Sequence, residues 1–129
     1  MKLLAIDYGK KNIGMAFSEG FLPSPLTTIT VRTKKQVLTD IMGVCERLGI
    51  EKIVLGLSGG VLDKEVKNFG EILTKQTSIP VAFVDEALTS RLAVAKMVEG
   101  KTSQKKRRTQ EHAVAATIIL NSYLESQGQ

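Results

Sequence analysis

Leu3-Leu4-Ala5-Ile6-Asp7-Tyr8-Gly9-Lys10-Lys11-Asn12-Ile13-Gly14-Met15-Ala16-Phe17-Ser18 is the stretch whose reading decides the fold. Residues 3–7 form a short apolar run closed by an acid, the pattern of a buried strand. Tyr8 to Asn12 is turn material, and Ile13 to Ser18 returns as a second strand. Pro23 and Pro25 then break the chain, and Leu26 to Val31, rich in threonine and branched residues, reads as a third. The economical arrangement is three antiparallel strands.

Downstream the period changes. Thr33-Lys34-Lys35-Gln36 matches a capping box, with Thr33 as N-cap and Gln36 reaching back. Val37, Ile41, Val44 and Leu48 follow at helical spacing, and Gly49 ends the helix. Ile53 to Leu57 is an apolar run of the kind buried on both faces of a parallel sheet. After the loop Ser58-Gly59-Gly60, Asp63 is expected to cap a second helix with the stripe Val66, Phe69, Leu73. Pro80 opens a strand over Val81–Val84 that ends on Asp85-Glu86. Thr89 or Ser90 would cap a third helix running through Val98 to Gly100. Residues 100–109 read as a basic loop and the one candidate for mobility. Glu111 to Glu125 forms a last helix with His112, Ala116, Ile119 and Tyr123 on its apolar face. The order βββ-α-β-α-β-α-α, with right-handed crossovers, predicts an α/β fold: a mixed five-stranded sheet flanked by helices.

At 129 residues there is room for one domain. The 43% apolar and 24% charged residues are those of a globular protein, which argues against wholesale disorder. No apolar run approaches the roughly 20 residues that cross a bilayer, so no membrane association is expected. The N-terminus meets Asp7 too early for a secretory signal. Cys45 stands alone and reads as core filler in a reducing compartment, with cytoplasm the default. The net charge of +5 is concentrated: Lys101, Lys105, Lys106, Arg107 and Arg108 fall within eight residues, and elsewhere 13 basic residues face 13 acidic ones. Such a cluster suits phosphates, although a solvated basic loop would look the same.

Asp7 and the pair Asp85-Glu86 sit at the carboxyl ends of strands expected to be buried, the edge at which open α/β sheets bind ligands. If the strand ending at Asp7 neighbours the one ending at Val84, these carboxylates converge. Two carboxylates in a partly buried site repel unless a cation lies between them, and Mg²⁺ prefers such oxygens. Two such ions can activate water and stabilise the leaving oxygen in phosphodiester cleavage. The bland alternatives are a turn aspartate in Asp-x-Gly and a solvated strand end. Composition and spacing favour neither.

Asp7 to Ala16 resembles the opening motif of the pre-16S ribosomal RNA nuclease family, also called Holliday-junction-resolvase-like: Asp-x-Gly, a basic pair, then Ile-Gly-x-Ala. Ile53 to Leu57 is similar to its second motif, Asp85-Glu86-Ala87-Leu88-Thr89-Ser90 to its third, and Ala113 to Leu124 to its closing helix. The resemblance covers nearly the whole chain in the family's order. It implies a ribonuclease H-like domain whose acidic triad binds Mg²⁺ or Mn²⁺, with Asp7 and Glu86 as catalytic and metal-binding residues. The third acid of the family falls at His112, the main departure. His112 can serve as ligand, though imidazole suits Mg²⁺ less well than carboxylate. Glu111 can supply a carboxylate, rotated by about 100° on the helix; or the site has decayed. Ser58 and Ala87 replace a proline and an arginine of the family's motifs.

The resemblance further implies nucleic acid as partner, either precursor ribosomal RNA or branched DNA, contacted by Lys10, Lys11, Lys101, Lys105, Lys106, Arg107 and Arg108. Two Tyr, four Phe and no Trp leave little for base stacking, so recognition through backbone and shape is expected. A symmetric junction favours a homodimer, whereas RNA trimming needs only a monomer. Two rival functions remain: an ATPase-like phosphate-binding module, disfavoured because such enzymes need two lobes, and a non-catalytic nucleic-acid-binding protein.

Overall fold

The computed structural model describes residues 1–85 and 104–127, with residues 104–110 as backbone alone. Its elements run β1 (Leu3–Asp7), β2 (Asn12–Ser18), β3 (Ser24–Thr30), α1 (Lys34–Leu48), β4 (Lys52–Leu57), α2 (Asp63–Thr77), β5 (Val81–Asp85) and α3 (Gln104–Ser126). All five strands share one sheet in the order β3-β2-β1-β4-β5. The β1–β2 and β2–β3 pairs are antiparallel, and β4 is parallel to both β1 and β5. This is the mixed sheet expected from the sequence. β3 starts two residues earlier than expected, because a bulge at Met15/Ala16 lets Pro25 pair opposite Ala16.

β1 lies at the centre and alternates between two cores. Leu4 and Ile6 face α1 and α2 with Ile13, Met15, Ile53 and Leu55. Leu3 and Ala5 face α3 with Ala16 and Val54. Each residue of Leu4–Ile6 is fully buried, which is why the run shows no polar alternation. α1 follows its sequence signals closely. The Thr33 hydroxyl accepts from the Gln36 N–H at 3.0 Å, and the Gln36 side chain reaches back, though to the Arg32 N–H rather than that of Thr33. Gly49 closes the helix at φ 66°, where a side chain would be strained. Cys45 is buried in that helix, and burial pushes its thiol up to about 11.

Four expectations need correcting. Asp63 does not cap α2: Leu62 occupies that position, and Asp63, the first helical residue, turns back to accept from the Ser58 and Gly59 N–H groups, each at 2.9 Å. The basic stretch is not a loop from 104 onward, because α3 begins at Gln104. Its residues are helix formers, and no Gly or Pro occurs between Gly100 and Gly128. β1 and β5 are not neighbours, since β4 separates them. β5 is also an edge strand rather than a buried one, with Phe83 and Asp85 exposed. Residues 100–103 and the expected helix from Thr89 to Val98 lie outside the described residues.

Candidate metal and nucleic-acid site

Asp7 is the last residue of the central strand, and its parity directs it to the α3 side, where Leu3 and Ala5 also point. Across the β1–β2 ladder its partner is Gly14. A Cβ at residue 14 would lie 2.6 Å from the Ala113 nitrogen and closer still to the His112 carbonyl. Only glycine therefore lets the α3 backbone descend onto β2 at this level. Small residues continue the contact, as Ala116 packs against Ala5 and Ala16, while Ile119, Leu120 and Tyr123 fill the space farther along.

That descent places the His112 Nδ1 3.3 Å from the Asp7 Oδ2. The side chains are 32% and 18% exposed, so the pair is shielded yet reachable from solvent. The hydrogen bond to the Asp7 carboxylate holds the His112 imidazolium above the ordinary histidine range. Partial burial opposes this, and the charges of Asp7 and Glu111 add to it. Glu111 itself is exposed. Of the two candidates on α3, it is His112 that meets Asp7.

The pair suits a divalent cation. Two adjacent ligands about 2.1 Å from one ion stand about 3 Å apart, close to the 3.3 Å observed between these atoms. Among the described residues no third His, Cys, Asp or Glu completes a cluster. Asp85 is exposed on the Phe83 side of the sheet, where α2 packs, and does not turn toward Asp7. Glu86 lies outside the described residues.

Lys10 and Lys11 are exposed on the loop after Asp7. Lys105 and Arg108 precede His112 by seven and four positions on α3. By helical rise their backbone positions lie about 10 Å and 6 Å from it along the axis. Lys106 and Arg107 belong to the same helix, and Lys101 is outside the described residues. The sequence motif contained Gly14, but only the approach of α3 shows what it is for. No helix of the described residues is long and apolar enough to cross a membrane.

Comparisons with known proteins agree with this architecture. A protein of Clostridium acetobutylicum named "Putative pre-16S rRNA nuclease" is 34% identical over 134 residues, covering 98% of this chain and 99% of its own length. A protein of the same name from Protochlamydia amoebophila is 38% identical, over 97% of this chain and 93% of that one. Among solved structures, the Thermus thermophilus RuvC complex with a Holliday junction aligns with a TM-score of 0.64 at 15% identity, over 99% of this chain and 96% of that one. The fowlpox virus resolvase with junction DNA reaches 0.66 at 11% identity, over the full length of both. These two establish the fold, the RuvC-like ribonuclease H arrangement. The family model described as "RuvX: Holliday junction resolvase" matches residues 1–126, and the chain belongs to that family.

Proposed function

We propose that this chain acts as one ribonuclease H-like domain, a divalent-metal-dependent nuclease that hydrolyses phosphodiester bonds of structured nucleic acid. Its substrate in this reading is the 5′ end of precursor 16S ribosomal RNA, in the cytoplasm. The observation that carries the reading is the contact between Asp7 and His112 at the carboxyl edge of the central strand. A strand-terminating turn aspartate would need no imidazole brought to it from 105 residues away, nor a glycine to let it arrive.

In this reading Asp7, Glu86 and His112 are the catalytic and metal-binding residues. A Mg²⁺ or Mn²⁺ ion held by these residues would supply the Lewis acidity that activates water and stabilises the leaving oxygen. Asp7 contributes a fixed carboxylate whose burial strengthens its hold on a cation. His112 must give up its proton before its nitrogen can ligate, so binding releases a proton and weakens as pH falls. Lys10, Lys11, Lys101, Lys105, Lys106, Arg107 and Arg108 neutralise phosphates of the bound strand. Affinity should therefore fall steeply with salt.

A second reading, cleavage of branched DNA, is supported by the description of the matching family; a symmetric junction would then suit a homodimer. One experiment separates the readings. The protein and its Asp7→Asn variant are incubated with a labelled precursor ribosomal RNA end and a four-way DNA junction, with Mg²⁺ or Mn²⁺. Cleavage of the RNA by the parent protein alone supports the first reading, and cleavage of the junction alone supports the second. Binding without cleavage by either protein would leave a non-catalytic nucleic-acid-binding protein.

A further inference from the structure

On the face of the sheet away from His112, three lysines from three different elements surround one opening. Lys10 lies on the β1–β2 loop, Lys34 opens α1 and Lys64 belongs to the first turn of α2, and all three line a cavity of about 820 Å³. Each is exposed, and among the described residues none of them is held in an ion pair. Glu65 is the one acid lining the cavity, and its Oε2 is buried. The rim is therefore a concentration of free positive charge outside the segment 101–108.

The sheet topology joins this rim to the candidate site. β1 and β3 are both antiparallel to β2, so they run the same way, and β4 is parallel to β1. The helices that follow β3 and β4 thus both begin at the edge where β1 ends on Asp7. Lys10 follows Asp7 by three residues, which keeps the two backbone positions within about 11 Å. Gathering like charges there has a cost. Lys34 and Lys35 open α1 with no acid in its first turn, where the helix dipole favours acids. Neighbouring ammonium groups also repel one another. A polyanion laid across the rim removes both penalties.

The opening is wider than one phosphate, and its lysines are spread around it on separate elements. That arrangement suits successive phosphates of a polymer better than a single anion. Between the lysines the wall is largely apolar, with Val31, Val37, Val61 and Leu62, and offers little to read the edges of bases. We propose that the rim is a second phosphate contact for the nucleic acid strand. The strand crosses the edge at Asp7, passes Lys10 and continues onto the α1–α2 side, where Lys34 and Lys64 neutralise its backbone. The step from Asp7 to Lys10 along one loop favours nucleic acid over an acidic protein surface. The inference rests on the proposed function for the kind of ligand, and takes nothing from cleavage.

The test uses the full chain carrying Asp7→Asn, in EDTA, so the outcome does not depend on catalysis. Binding of a labelled oligouridylate of about 20 nucleotides is followed by fluorescence anisotropy from about 50 to 200 mM KCl. Lys34→Gln with Lys64→Gln should weaken binding about tenfold at the lowest salt and reduce the salt slope by about 1–2. Arg47→Gln with Lys75→Gln removes the same charge from the last turns of the same two helices, and should leave affinity and slope close to the parent values. Lys34→Gln takes a cation from a helix start, so Tm should hold or rise, which separates a lost contact from a lost fold. Equal weakening by the two double variants would reduce the effect to net charge and overturn the proposal, as would an unchanged slope in Lys34→Gln with Lys64→Gln or no RNA binding at all. Displacement of the RNA by pyrophosphate at micromolar concentration would indicate a small-anion site instead of a strand. Polyglutamate bound as tightly as the RNA, through the same lysines, would indicate an acidic protein partner; either result overturns the assignment. Failure of the nuclease reading would appear instead as absent cleavage by the parent chain with Mg²⁺ or Mn²⁺, with these affinities unchanged.

Discussion

Replacing Gly14 with alanine should push α3 off the sheet and break the contact between His112 and Asp7. The new Cβ would sit 2.6 Å from the Ala113 nitrogen, where ordinary contact begins at 3.4 Å. The atoms on both sides are backbone, so no side chain can swing aside, and the helix must retreat by at least about 0.8 Å. Added to the 3.3 Å between Nδ1 and Oδ2, that opens the pair to about 4 Å, past hydrogen-bonding range. Overpacking of this kind costs about 1–3 kcal/mol, which for a chain of this size lowers Tm by roughly 4–15 °C. His112 is the chain's sole histidine, so proton NMR reads its titration without assignment. The imidazole should titrate above 6.5 in the parent protein and move back toward that value in Gly14→Ala. A variant that keeps both its Tm and its histidine titration would refute the claim that Gly14 sets the height of α3.

The raised His112 pKa has a signed consequence for metal-free protein. Its stabilisation is fully present below the unfolded value of about 6.5 and is lost as pH rises through the higher folded value. Asp7→Asn should remove that component, visible as a flatter dependence of Tm on pH between about 6 and 8. His112→Asp should place two carboxylates together, lowering Tm at neutral pH by several degrees without cation. Added Mg²⁺ should restore it, and the Mg²⁺ affinity measured by calorimetry should rise about tenfold over the parent; an unchanged affinity would mean that residue 112 does not ligate. Asp63→Ala should cost about 1–2 kcal/mol in urea unfolding, because the Ser58 and Gly59 N–H groups lose a charged acceptor. A cost close to zero would show that water replaces it.

The parts of this fold that were legible in the sequence are those decided by near neighbours. The Thr33–Gln36 cap, the Gly49 stop and the unbroken apolar run of β4 each depend on a few adjacent residues. Asp63 misled because an acid at a helix start can serve either its own helix or the preceding loop, and only the loop's path decides between them. The distance between Asp7 and Asp85-Glu86 depended on strand order, which no local pattern encodes. At the site, the family resemblance located Asp7 and His112, and the structure added the close approach at Gly14 that lets them meet.

Asp7 and Tyr8 are successive residues that look out of opposite faces of the sheet, one toward α3 and the other toward α1 and α2. One peptide unit thus joins the carboxylate that meets His112 to a ring packed against Phe69 of α2. The Asp7 carboxylate is thereby anchored through its neighbour in the opposite core, with no flexible residue between them. Loosening the Tyr8–Phe69 contact on one face of the sheet should therefore disturb the Asp7–His112 pair on the other.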